Sequence, residues 1–248
     1  MKFTHRELTR GIVRAYLRYF HQFKAQGMDN VPRRGPFVLI SNHGSFFDPL
    51  AIRCVLRRTV WFMTWTKVLS WPVVGRLVRY ASTFSVNLEK GHDLGAFREA
   101  LSLLARGEGV GIFPEGRRAP GPFMEDGKLG AIQIAYRSGA PIIPVSLVGV
   151  HDVWPRGQRL PRSGRIGIIF HPPIPMPQRS FGSRHEERES LTKMMTQVQQ
   201  VINSGVAARL RAWIAEGCVG RSAERFRLIE AKSGAILQRE KSVITGRV

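Results

Sequence analysis

The sequence predicts an α/β fold, with a mixed, mostly parallel central sheet flanked by helices and an amphipathic helix at its N-terminal end. Three observations carry this reading. Short runs rich in Val, Ile and Phe, bounded by Gly, Pro or Asn, alternate with longer segments of helical periodicity. Interleaving of that kind is the signature of strands joined by helical crossovers. Several strand runs, such as Val110–Phe113, are apolar without alternation, as strands covered on both faces must be. The chain of 248 residues is 43% hydrophobic, enough for one large domain with a full core and too apolar for a disordered polycation.

The elements follow in order. Residues 6–23 read as an amphipathic helix: at about 100° per residue, Arg6, Arg10, Arg14 and Arg18 share one stripe. Leu8, Ile12, Val13, Ala15, Tyr16, Tyr19, Phe20 and Phe23 fill the opposite arc, and Leu17 falls outside it. Such a helix suits a membrane interface or, alternatively, packs on the domain with a solvated Arg face. Strands are predicted at Pro36–Ser41, Val60–Thr64, Thr83–Val86, Val110–Phe113, Ile142–Val148 and Ile166–Phe170. Helices are predicted at Pro49–Leu56, Pro72–Tyr80, Asp93–Arg106, Leu129–Arg137 and Glu186–Ile202. Pro49 and Asp93 suit helix starts and Gly107 a stop. After Gly205 the chain becomes Arg-rich and weakly patterned, either a helical appendage or a frayed tail. The expected organisation is an interface helix over 1–26, a catalytic domain over 27–204 and a basic extension over 205–248.

The 38 Lys and Arg against 18 Asp and Glu give a formal charge of +20, which demands an anionic partner. The excess is uneven: 15 basic against 4 acidic residues over 1–90, six against six over 91–150, and 17 against 8 beyond. Two basic regions around a near-neutral middle suit lipid headgroups and phosphate-bearing substrates better than a nucleic-acid groove. No helix-turn-helix, RNP or zinc signature is present, so no nucleic-acid partner is expected. Two cysteines exclude a disulfide scaffold, and the histidines lack metal-ligand spacing. The longest stretch free of charged residues, 194–208, is rich in Gln, Thr, Asn and Ser, and no stretch reads as a spanning helix or signal peptide. The expectation is a peripheral protein at the cytoplasmic face of the inner or plasma membrane.

Two segments can do chemistry. LISNHGSFFDP follows the first predicted strand and puts His43 and Asp48 five residues apart at its carboxyl end, where ligands bind in open α/β sheets. A carboxylate fixes the tautomer of its histidine and stabilises the imidazolium, the arrangement of a general base. Ser45 between them lacks the nucleophile-elbow pattern. GVGIFPEGRRAPG places Glu115, Gly116, Arg117 and Arg118 after another strand, and adjacent guanidinium groups on a constrained turn suit a phosphate. Each segment alone also has a plain structural reading, a capping Asp and a surface ion pair.

In this order the two segments resemble the glycerolipid acyltransferases, most nearly the lysophosphatidic acid acyltransferase (1-acylglycerol-3-phosphate O-acyltransferase) type. The pattern Asn-His-x-x-x-x-Asp is matched by Asn42, His43 and Asp48, and Phe-Pro-Glu-Gly-Thr-Arg-Ser by Phe113 to Ala119. The Lys-x-Gly pattern is similar to Lys128 and Gly130, and the Val/Ile-Pro-Val block to Ile143, Pro144 and Val145. The resemblance runs from about Gly27 to Pro175.

It implies a mechanism in which His43, oriented by Asp48, activates a lysophospholipid hydroxyl for attack on the thioester of acyl-CoA or acyl-carrier protein. That donor is a co-substrate, and no cofactor or metal is implied. It also implies substrate contacts from Asn42, Gly116, Arg117 and Lys128, with Glu115 placing the acceptor glycerol, Arg118 binding its phosphate and Pro144 shaping the acyl-donor site. Arg117 and Ala119 depart from the family's Thr and Ser. The family's second phosphate-binding Arg falls on Asn87 or Leu88, with Lys90 as a substitute and Arg156, Arg159, Arg162 and Arg165 as other sources. The acceptor alternatives are therefore another lysophospholipid, a lyso-ornithine lipid, or a lipid with a differently placed anion. A basic membrane- or nucleic-acid-binding protein without catalysis is the non-enzymatic alternative. The stretch VWFMTWTKVLSWPVVG is read as core or acyl-tunnel wall, or as an aromatic anchor.

Overall fold

A computed structural model describes residues 5–69, 83–86, 93–155, 158, 160–177, 181–217 and 220–230. Its strands are β1 (Lys24–Gln26), β2 (Phe37–Ser41), β3 (Val60–Trp65), β4 (Thr83–Val86), β5 (Gly109–Ile112), β6 (Ile142–Val148) and β7 (Gly167–Phe170). Its helices are α1 (His5–Phe20), α2 (Asp48–Val55), α3 (Thr66–Leu69), α4 (Leu94–Ala105), α5 (Gly130–Ser138), α6 (Val150–Val153), α7 (Arg184–Ala215) and α8 (221–230). The strands form one sheet in the order β1-β7-β6-β2-β5-β3-β4, parallel throughout except for the β6–β7 pair. The predicted α/β architecture is therefore present.

Successive residues of a strand face opposite sides of the sheet, and β2 divides accordingly. Phe37 and Leu39 enter a core beneath α1 and α2, whereas Val38 and Ile40 enter a second core beneath α4, α5 and α7. All five residues of β2 and all seven of β6 are buried, which explains why Ser41 and Ser146 are their only polar side chains. Asp93 caps α4 by accepting the Ala96 N–H at 3.1 Å. The β2, β5 and β6 carboxyl ends lie together, and the site is built there.

Several expectations change. The α1 face that docks is narrower than the apolar arc: Leu17 is fully buried and Val13 nearly so, while Ile12, Tyr19 and Phe20 are 61%, 86% and 58% exposed. Arg10 turns inward to donate to the carbonyls of Leu56 and Arg57 at the end of α2. Within the described residues α1 and β1 pack onto the domain: Leu17 joins the core and β1 is an edge strand of the sheet. β1 escaped prediction because Lys-Ala-Gln carries no apolar signal.

The predicted boundary at 204/205 falls inside α7, which continues to Ala215 and buries Val206, Leu210 and Trp213. Gly205 lies inside this helix, and a Cβ there would lie 2.5 Å from Ser146 Oγ and 2.6 Å from the His171 ring. Close approach, which only glycine permits, explains the residue. The extension is helical again in α8. The predicted helix Pro72–Tyr80 lies outside the described residues, as do residues 70 and 71 before it.

Gly205→Ala separates packing from propensity. Helix propensity alone gives a gain of about 1 kcal/mol, whereas the clash with Ser146 and His171 predicts a loss of about 1–3 kcal/mol in urea unfolding.

Candidate active site

The chain leaves β2 at Ser41 and turns through Asn42–Phe47 before α2 begins at Asp48, with Pro49 in its first turn. Asp48 is completely buried, and its Oδ2 accepts three hydrogen bonds: from His43 Nδ1 at 2.8 Å, from the Gly44 N–H at 2.7 Å and from the Ser45 N–H at 2.8 Å. A carboxylate in the first turn of a helix is also favoured by the helix dipole. Because the aspartate accepts, the shared proton lies on His43 Nδ1, and Nε2 carries the lone pair of a base. The His43 side chain is 17% exposed, so it borders solvent while its partner does not.

A second loop holds the first. Phe113 stacks on the His43 ring, centroids 4.2 Å apart and planes 19° from parallel, and stacks in turn on Phe62. Glu115 Oε1 accepts the His43 N–H at 2.9 Å, and its Oε2 accepts the Glu125 N–H at 3.3 Å. The His43 carbonyl accepts the Ala119 N–H at 2.8 Å. The backbone of the histidine is therefore gripped at both of its polar groups. Glu115 is 6% exposed, and burial pushes its carboxyl up to about 7. Gly116 adopts φ +67°, a left-handed turn that lets the chain return towards Arg117 and Arg118.

The predicted residues divide by what they touch. Asn42 is buried: Nδ2 donates to the Pro122 and Leu147 carbonyls at 2.9 and 2.8 Å, and Oδ1 accepts the Leu147 N–H at 2.8 Å. The amide has no group left for a ligand, so its expected substrate contact is replaced by a joint between β2, β6 and the 119–125 loop. Glu115 likewise serves His43 and Glu125 rather than an arginine, though it still borders a shallow depression with Arg117, Glu125 and Asp126. Arg117 is exposed and donates to Glu125 at 2.8 Å, a surface pair that contributes little to stability. The Arg118 guanidinium lies 3.7 Å over the Phe46 ring, which sets its charge beside the catalytic loop. Lys128 is exposed and lies along the same turn: a Cβ on Gly116 would come within 3.2 Å of its Nζ. Pro144 is buried within β6 opposite Ile40, and its carbonyl accepts the His171 N–H.

Two other candidates have structural partners. Ser45 is buried, and its hydroxyl accepts the Phe47 N–H. Arg165 pairs with Glu216 at 2.6 Å rather than serving as a phosphate contact. Asn87, Leu88, Lys90, Arg156 and Arg159 lie outside the described residues. Sequence reasoning missed His151, whose ring packs on the loop: a Cβ on Gly44 would lie 3.1 Å from its Nε2. Burial, the largest influence, lowers its pKa below the usual histidine value. A lone His after a strand carries no signal of this placement.

Fold and site together define an α/β protein with a hydrogen-bonded histidine–aspartate pair at the carboxyl ends of its central strands. The family model described as Acyltransferase matches residues 22–148, and the chain belongs to that family. It is 28% identical over 158 residues to the 1-acyl-sn-glycerol-3-phosphate acyltransferase BAT2, chloroplastic, of Brassica napus, covering 62% of this chain and 46% of that protein. It is 25% identical over 170 residues to the 1-acyl-sn-glycerol-3-phosphate acyltransferase of Borreliella burgdorferi, covering 68% of this chain and 66% of that protein. The crystal structure of the 1-acyl-sn-glycerophosphate acyltransferase PlsC from Thermotoga maritima superposes with a TM-score of 0.67 at 25% identity, over 84% of this chain and 80% of that one. The chain spans about half the length of several of the curated relatives it matches.

The raised Glu115 carboxyl gives a pH signature. Its folded value, about 7, exceeds its ordinary 4.5, so the folded state holds the proton more tightly than the unfolded chain. Its contribution to stability is full below about 4.5, declines as pH rises towards about 7 and is flat above. The stability of the wild type relative to Glu115→Gln is expected to fall between pH 5 and pH 7 and to level off by pH 8, measured by urea unfolding at each pH.

Proposed function

We propose that this chain is an interfacial O-acyltransferase, moving a fatty acyl group from acyl-CoA or acyl-carrier protein to the hydroxyl of a lysophospholipid. The leading acceptor is 1-acylglycerol-3-phosphate, and the setting is phospholipid biosynthesis. The observation that carries this reading is the His43 Nδ1–Asp48 Oδ2 bond at 2.8 Å, which leaves Nε2 as a base on a ring bordering solvent. The names of the relatives point to the same acceptor.

In the reaction, Nε2 takes the proton of the acceptor hydroxyl as its oxygen attacks the thioester carbonyl carbon. The C–S bond of the tetrahedral intermediate then breaks, and the imidazolium returns the proton to the thiolate. Asp48 stabilises the imidazolium between the two steps. The N–H groups of Gly44 and Ser45 already serve Asp48, so the oxyanion draws on other donors. Arg118, beside the catalytic loop, and Lys128, along the Glu115–Arg117 turn, supply positive charge for the acceptor phosphate.

Membrane delivery has its own support. Among the described residues no helix is long and apolar enough to cross a membrane. α1 instead exposes Ile12, Tyr19 and Phe20, with Arg14 and Arg18 also exposed. Tyr16 meets Phe47 of the catalytic loop edge-on, at a centroid distance of 5.9 Å, so this end of α1 lies beside the site. An anionic bilayer at the cytoplasmic face would receive both features. One observation favours a second acceptor class: the depression bounded by Glu115, Arg117, Glu125 and Asp126 has three carboxylates, and Arg117 is paired with one of them. Such a rim suits a headgroup bearing an amine, as in a lyso-ornithine lipid.

Thiol release from long-chain acyl-CoA against a panel of lysolipids is expected to be fastest with 1-acylglycerol-3-phosphate; an aminoacyl lysolipid as the fastest would select the second reading. In the same assay His43→Ala and Asp48→Asn each lower turnover by about 10³–10⁴-fold, and near-wild-type turnover in either rejects the general-base role. On anionic vesicles, Arg14→Glu with Arg18→Glu is expected to weaken association and remove its salt dependence. Sedimentation with the vesicles measures this.

A further inference from the structure

The C-terminal helix α8 lies outside the family match yet reaches the catalytic loops by two routes. Phe226 is 3% exposed and packs with Val148, Val206, Leu210 and Trp213, and its ring meets Phe123 at 6.0 Å. Next to it, Arg225 donates to the Pro120 carbonyl at 2.7 Å. Both contacts fall on the 119–125 loop. That loop supplies the Ala119 N–H to the His43 carbonyl, the Pro122 carbonyl to Asn42 and the Glu125 N–H to Glu115.

The other route passes through α6. Asp152 Oδ1 accepts the Ser222 N–H at 2.9 Å at the start of α8, and the neighbouring His151 ring lies against Gly44. Ser222 and Ala223 are 2% and 4% exposed, so this end of the helix is seated rather than loosely draped.

We propose that α8 is a brace for the active site, with Arg225 and Phe226 as positioning residues that hold the 119–125 loop and, through it, the backbone of His43. Neither residue touches substrate. The helix sets the geometry of the base, so its loss lowers turnover and leaves donor binding unchanged. The kinetic part of this proposal rests on the acyl-transfer reading; the structural part does not.

The test combines hydrogen exchange of the 117–125 amides with kcat and KM for acyl-CoA. Phe226→Ala is expected to speed exchange in that loop and to lower kcat by about 10- to 100-fold, the range a small misplacement costs, with KM unchanged. Arg225→Ala, at an exposed position, gives about threefold to tenfold on both readouts, and Arg225→Lys recovers most of it. Arg227→Ala, exposed on the same helix, stays at wild-type values. Wild-type exchange and kcat in Phe226→Ala overturn the brace. Should that variant fail to fold, the same result in Arg225→Ala overturns it. If the wild type transfers acyl groups to no lysolipid, the acyl-transfer reading fails, while loop exchange in the variants still decides whether α8 braces the loop.

Discussion

One carboxylate oxygen, Asp48 Oδ2, gathers three N–H donors in a place with no access to water. A buried charge is costly unless it is hydrogen-bonded; here all three donors converge on Oδ2 while the buried Oδ1 has no partner among the described residues, and it is the Oδ2 bonds that dictate the shape of the loop. The Gly44 and Ser45 amides must point inward, the histidine must present Nδ1, and Nε2 is then left facing outward. The fold exists to deliver this arrangement. β2 carries the loop to the carboxyl end of the sheet, and α2 takes Asp48 into its first turn. Its neighbours β5 and β6 start the segments that close around it.

A second constraint fixes the loop from outside. Glu115 and Ala119 hold the N–H and C=O of His43, and Phe113 stacks on its ring, so backbone and side chain are both positioned by the segment that follows β5. Glu115 achieves this at a cost, since burial disfavours its charged form. The Phe-Pro-Glu-Gly run thus makes structural sense as a clamp. Its cationic continuation divides: Arg117 pairs with Glu125 at the surface, and Arg118 lies over the Phe46 ring.

What the sequence made legible follows from how far apart the interacting groups are. The central strands were readable because strands covered on both faces are apolar throughout, and the His43–Asp48 pair because five residues separate a base from its partner. The grip of Glu115 on His43 was not readable: a carboxylate binding a main-chain N–H 72 residues away leaves no pattern in residue types. The same holds for Arg165 and Glu216, and for Asn42, whose amide is absorbed by backbone groups from two other segments. On α1, hydrophobic periodicity located the helix but misjudged the docked face. Leu17, outside the apolar arc, is the residue at zero exposure, because the docked face carries Arg10, Val13 and Leu17, three and seven residues apart along the helix. The end of α7 was placed too early, at Ile202, because beyond it the chain becomes Arg-rich and weakly patterned although Val206, Leu210 and Trp213 are buried.

The central claim is that His43, held by Asp48 and Glu115, acts as general base while the acyl group passes directly from thioester to acceptor hydroxyl. The most direct measurement is a single turnover with palmitoyl-CoA and 1-acylglycerol-3-phosphate in anionic vesicles, followed by mass analysis of both lipid and protein. One diacyl product for each thiol released, with no acyl mass on the protein, is the expected result. Thiol release without a diacyl lipid, or an acyl group retained covalently on the chain, would contradict it.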